Sequence, residues 1–265
     1  MHWVEVNGVS LRYRSEGVGP PLVLIHEIGG TLESWDGLAP ALAERFQLLR
    51  YDQRGSGGSE KVRHPFGLTA LVSDLDALLE KLDLPPPFHL VGAALGAAQA
   101  VILAAHRPGQ VGSLVLLNPA LEVDASRSAL MRSRALRAEQ EGLRATLSLT
   151  LDRSWPPGDS SPTRETYRAR YLANDPYGFA RQNEAILDLS TVLPPLREIR
   201  CPTLVLAGAR DAVRPPPLVR QAADAIPGSR FAILDTAHFM AAEAPGPLSE
   251  ELRRFYDGIL TAAAA

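Results

Sequence analysis

Residues 92–96 read Gly92-Ala93-Ala94-Leu95-Gly96. This is the frame Gly-x-Ser-x-Gly with alanine at its centre. In that frame a sharp strand-to-helix turn presents the central side chain, and the flanking glycines let the helix pack closely on the strand. Alanine has no nucleophilic atom and no proton to give, so no acyl intermediate can form on Ala94. The turn still supplies the amide of Leu95, which opens a helix and can stabilise a developing oxyanion. The other groups able to move a proton or hold charge also follow short apolar runs. His26-Glu27 follows 22–25, and Asp52-Gln53-Arg54 follows 48–51. Asn118 follows 114–117, Arg210-Asp211 follows 203–207, and His238 comes shortly after 230–234.

Bringing these groups together requires the runs to be strands of one sheet. Runs that are apolar on both faces indicate parallel strands covered by helices. In such a sheet ligands bind outside the carboxyl ends of the strands, where the polar groups above fall. Two alternating segments, 3–6 and 9–13, open the chain, and Asn7-Gly8 between them predicts a type I′ turn. Helices are predicted over 35–46, 68–82 with Thr69 as N-cap, 96–106, 217–225 and 247–260. Strand–helix alternation of this kind predicts a mostly parallel, doubly wound sheet. From about residue 121 to 193 the rhythm breaks, with helical patches at 129–151, 164–173 and 179–188 and no strand signal. This stretch reads as a helical cap insertion over the carboxyl edge of the sheet. Residues 1–120 and 194–265 form the core, 121–193 the cap, and 262–265 a disordered tail.

The six strand-end segments, in this order, resemble the α/β-hydrolase family over about residues 3–258. The nearest subgroup is the capped one of 3-oxoadipate enol-lactonases, small esterases and C–C bond hydrolases. The resemblance implies the α/β-hydrolase fold with Ala94 at the nucleophile position, Asp211 as the acid and His238 as the histidine. The carboxylate would orient the imidazole through one ring nitrogen and leave the other to take a proton. It also implies a second oxyanion donor beside Leu95, the amide of Ile28 or of its neighbour Glu27. His26, Asp52 and Arg54 match residues that hold the family's loops together, and His89 reads as a hydrogen-bonded core histidine. Trp35, Asn118, Trp155 and Tyr171 are candidate pocket walls. Glu27 departs from the family, which has glycine or another small residue there. It could be a general acid or base beside the oxyanion site, or a solvated residue turned outward, and the sequence leaves both open.

Three explanations of Ala94 follow. The chain is a serine hydrolase inactivated by alanine at position 94; or it works without a covalent step, the His238–Asp211 dyad acting on water or on the substrate; or it binds a small ligand without catalysis. The second explanation includes non-hydrolytic acid–base chemistry of the lyase or cofactor-free oxygenase kind. Hydrolysis of a small ester, lactone or amide is the reading adopted, with no cofactor and no metal.

Composition narrows the partners. Lys and Arg number 27 against 30 Asp and Glu, and no basic stripe stands out, which argues against nucleic acid. Arg127, Arg132, Arg134 and Arg137 cluster and read as a solvated helix face. The lone Cys201 can form no internal disulfide and reads as a buried, inert thiol. No signal-peptide pattern or membrane-length apolar run is present. The expectation is a cytoplasmic protein, monomer or homodimer, whose partner is a small-molecule substrate.

Overall fold

The computed structural model describes residues 1–263. Eight strands form one sheet: β1 His2–Val6, β2 Val9–Glu16, β3 Pro21–Ile25, β4 Gln47–Tyr51, β5 Phe88–Ala93, β6 Val111–Leu117, β7 Thr203–Gly208 and β8 Arg230–Leu234. Their order is β1-β2-β4-β3-β5-β6-β7-β8. β1, β2 and β4 pair antiparallel, and every pairing from β4 to β8 is parallel. β3, β5 and β7 are buried at every position, as their unbroken apolar runs require. Asn7 and Gly8 both take positive φ, 48° and 72°, which a type I′ turn demands. From β3 the chain winds first to β4, then returns to β5 on the other side. The crevice expected at such a reversal lies beyond the carboxyl ends of β3 and β5.

The core helices follow the predicted order, with local corrections. The segment 35–46 is not one helix. A 3₁₀ turn covers Leu32–Trp35, and α1 is only Ala39–Ala43. Pro40 has no amide hydrogen and is tolerated only in a first turn, so the helix restarts there. α2 is Leu68–Lys81 with Gly67, not Thr69, at its N-cap. The capping acceptor comes from far along the chain, since Asp188 accepts from the Leu68 amide at 2.9 Å. α3, Leu95–His106, is buried from its first residue through Leu103.

Between β6 and β7 lies the helical insertion. It contains α4 Ala125–Glu141, a 3₁₀ stretch Leu143–Leu149, α5 Leu151–Ser154, α6 Pro162–Ala173, α7 Pro176–Ala185 and α8 Leu189–Val192. Asp124, Ser161 and Asp175 cap α4, α6 and α7 by accepting amide hydrogen bonds. The predicted helix over 129–151 breaks at Gly142, whose φ of 80° ends α4. α4 packs against α7. The arginine cluster is not simply a solvated face: Arg132 and Arg137 are exposed, but Arg134 is buried.

α9 Pro216–Asp224, α10 Met240–Glu243 and α11 Pro245–Ala263 complete the chain. α11 includes Ala262 and Ala263, so the expected tail is helical there; Ala264 and Ala265 lie outside the described residues. Apolar side chains fill both faces of the sheet. One face takes Leu71, Leu75 and Val101, and the other Trp35, Leu42, Phe46 and Tyr256. Among the described residues no helix is long and apolar enough to cross a membrane.

Candidate active site

β5 runs directly into α3 through Ala94, whose φ of 47° and ψ of −108° form a strained junction. Such a conformation costs a non-glycine residue on the order of 1–3 kcal/mol. A side chain on Gly92 would strike the Gly96 carbonyl, and one on Gly96 the carbonyl of Ile25. Both positions therefore require glycine. The Ala94 amide donates to Leu117 O at 3.0 Å, and its carbonyl accepts from Ala97 and Ala120. The turn is held from three sides. Leu95 is the first residue of α3, so its amide has no partner within the helix. Its side chain is buried in the core.

The loop after β3 is anchored by His26. The Gln53 amide donates to His26 Nε2 at 3.1 Å, so Nδ1 carries the hydrogen and donates to Glu27 O at 2.8 Å. Gln53 also donates to His26 O, and Gln99 of α3 donates to Gln53. The loop bearing Ile28 is thereby tied to the helix bearing Leu95. Glu27 is not turned outward. It is 6% exposed, and its Oε1 accepts from Ser34 Oγ at 2.8 Å and from the Tyr167 hydroxyl. Burial first, and then the charge of Glu27, push the Tyr167 phenol well above its usual range, so it remains a donor.

Beyond β7 and β8 an acid and a histidine meet. Asp211 Oδ2 lies 2.6 Å from His238 Nδ1, and Asp211 Oδ1 accepts from the amides of Val213 at 2.7 Å and Arg214 at 2.9 Å. Burial alone would raise the Asp211 carboxyl. The neighbouring imidazole and the two amides outweigh it, and the net shift is downward. The carboxylate stays ionised, and Nε2 of the ring is left for other chemistry.

One cavity of about 550 Å³ is bordered by the loop after β3, the turn at Ala94 and His238. Glu27, Ile28, Ala94 and His238 line its inner part, and Met131, Arg134, Leu149 and Thr150 of the insertion line its wall. The four predicted pocket walls lie elsewhere. Trp35 is 0% exposed within the apolar layer beside α1 and α11. Trp155 packs on Tyr167 and Phe239. Tyr171 bonds Thr146 at 2.6 Å and meets Phe179 edge-on. Aromatic size suited them to packing between layers. Asn118, at φ 43°, fastens loops together: its Oδ1 accepts from Gly208 N, and its amide donates to the carbonyls of Ala237 and His238. Of these wall residues the sequence singles out only Arg134, within the arginine cluster that reads as a solvated helix face. Among the described residues no cluster of His, Cys, Asp or Glu is arranged to hold a metal ion.

Known proteins resemble this chain over most of its length. The chain is 26% identical to 3-oxoadipate enol-lactonase 2 of Acinetobacter baylyi, covering 89% of each protein. It is 29% identical to the pyrrolizixenacetamide deacetylase of Xenorhabdus hominickii, over 96% of this chain and 98% of that one. Among solved structures, a thermophilic esterase from Thermogutta terrifontis superposes with a TM-score of 0.90 at 25% identity, covering 98% of this chain and 99% of the other. The enol-lactonase of Burkholderia xenovorans superposes with a TM-score of 0.88 at 28% identity, over 97% and 100%. The family model for the alpha/beta hydrolase fold matches residues 20–245, and the chain belongs to that family.

Proposed function

We propose that the chain hydrolyses a small carbonyl compound, an ester, lactone or amide, by general-base activation of water. His238 is the base, Asp211 orients and stabilises it, and the amides of Leu95 and Ile28 hold the oxyanion. His238 Nε2 takes a proton from water, and the water oxygen adds to the carbonyl carbon. The negative charge passes to the carbonyl oxygen, facing the two amides. Collapse of the adduct expels the leaving group, which takes its proton from His238. No bond to the protein forms, because Ala94 offers no atom for one. Glu27 is a positioning residue: with Ser34 and Tyr167 attached to it, it fixes the Ile28 loop. Residues 121–193 act as the cap that selects the substrate.

The observation that carries this reading is the 2.6 Å contact of His238 with Asp211, in a cavity that also contains Ala94. The names of the similar proteins, an esterase, an enol-lactonase and a deacetylase, support the same reaction classes. The test is turnover of a panel of esters, lactones and amides by the native chain and by His238→Ala. A general base contributes roughly 10²- to 10⁴-fold. Loss on that scale is expected, and an unchanged rate overturns the reading.

One observation favours a second reading, a serine-type hydrolase site without its hydroxyl. Ala94 keeps a strained φ and ψ that bring alanine itself no advantage. Under this reading Ala94→Ser yields a large gain with a burst phase, and under the water mechanism it does not. Tight ligand binding with no turnover in either protein would instead assign the cavity to recognition.

A further inference from the structure

Arg134 lines the cavity wall from α4 and is 7% exposed. Among the described residues no carboxylate pairs with it, and its Nε has no hydrogen-bond partner. Its contacts are a weak one to Met131 Sδ at 3.7 Å and the face of Phe179, 5.6 Å away. A sulfur atom and an aromatic face compensate less than the desolvation of a guanidinium requires. Desolvation lowers its pKa to about 10; the nearby Tyr171 phenol opposes that shift, and the charge of Arg153 adds to it. The group nevertheless remains cationic at neutral pH. Arg153 also lines the cavity, at its exposed side. Two like charges thus share one wall.

The other charged groups around the cavity are engaged or peripheral. Arg214 donates to the carbonyls of Pro119 and Glu122, and Arg127 to Val213 O. Glu27 accepts from Ser34 and Tyr167. Glu122 and Asp124 are exposed. Among the described residues lining the cavity, Arg134 is the buried cation left with neither a counter-ion nor a carbonyl acceptor, and it borders the same space as His238.

We propose that the substrate carries a carboxylate in addition to its scissile carbonyl, and that Arg134 binds this carboxylate, assisted by Arg153. A planar guanidinium fork matches a carboxylate's two oxygens, and the match strengthens where water is excluded. The rest of the wall, with Met131, Leu149 and Ile186, suits a short apolar linker between the two groups. This proposal rests on the reading of the cavity as the substrate site, but its test does not depend on turnover.

The test is calorimetric titration of the native chain with monomethyl succinate and, separately, with dimethyl succinate. The two probes differ only in one carboxylate. Arg134→Met keeps the length of the side chain and removes its charge, and circular dichroism verifies that it folds. A charge-assisted pair predicts that the half-ester binds the native chain roughly 10- to 100-fold more tightly than the diester. Arg134→Met should abolish that preference, and Arg134→Lys should restore part of it. Equal affinities in the native chain, binding of neither probe at its solubility limit, or a preference that survives in folded Arg134→Met would each overturn the proposal. Failure of the carbonyl chemistry itself would appear separately, in the His238→Ala assay.

Discussion

Two regions of this molecule bury guanidinium groups, and they treat them in opposite ways. In the turn after β4, Arg54 donates two hydrogen bonds of 2.7 Å to Asp74, both side chains nearly inaccessible. Beside it, Asp52 accepts from Arg12 and from the amides of Leu32 and Gly58, and Arg50 meets Glu16 and Asp36. Every buried cation there has a carboxylate. On the cavity wall Arg134 has none, and Arg214 donates only to backbone carbonyls. The scaffold neutralises its charges when it folds, whereas the cavity leaves a cation for something that arrives later. Charge pairing therefore separates residues that hold the fold from residues available to a ligand.

The largest expected effect tests the first half of that contrast. Asp74→Ala strands Arg54 without its partner inside the fold. Breaking a buried pair by removing one member costs about 3–5 kcal/mol. Urea denaturation should record a loss of that size, and a loss below about 1 kcal/mol would erase the distinction between the two regions. The second half predicts the opposite sign. Arg134→Met replaces an unpaired buried cation with an apolar chain of similar length. Stability should stay constant or rise by about 1 kcal/mol, because no Coulombic partner is lost. If Arg134→Met destabilises as much as Asp74→Ala, then Arg134 is a structural residue and the wall is not set aside for a ligand.

A smaller effect concerns the loop of Glu27. Tyr167→Phe removes one of the two hydroxyl donors from a buried carboxylate. The expected cost is about 1–3 kcal/mol for an under-satisfied buried acceptor. Catalytic rate should fall with it, since the Ile28 loop loosens. Unchanged stability with a lost rate would mean that Tyr167 acts on the substrate instead.

The contrast also explains what was legible in the sequence. β3, β5 and β7 could be read because burial on both faces leaves an unbroken apolar run. The turn at Ala94 could be read because Gly92 and Gly96 face backbone atoms and admit no other residue. The fold and its family were recognisable from these together with the polar segments that follow the other strands, in that order. Arg134 was not, since an arginine that faces a polar cavity and one that faces water leave the same mark on a helical pattern. Nor could Asp188 be seen capping α2, as that contact joins residues 120 positions apart. Trp35 and Trp155 misled because an aromatic side chain serves equally in a pocket wall and between packed layers. Asn118 was noticed for its place after β6, but its work depends on three partners on other loops.

The smallest effect is electrostatic and concerns Asp211, the carboxylate bonded to His238. Its pKa in the folded protein lies below its ordinary value, burial being outweighed by His238 and two amides. A depressed carboxylate contributes stability that is complete above the unfolded pKa of about 3.9 and disappears as pH falls through the folded value. His89 contributes in the same direction by a different route. Burial lowers its pKa, so below about pH 6.5 the unfolded chain takes up a proton that the folded chain resists. Acid should therefore destabilise the protein in two stages, His89 first and Asp211 later. His89→Gln should flatten the first stage and leave the second. The stability gap between the native chain and Asp211→Asn should narrow as pH falls from about 5 toward 3. A gap that failed to narrow below about pH 5 would mean that the dyad is held together by something other than an ionised carboxylate. The distinction between charges committed at folding and charges left for a ligand would then fail at the centre of the site.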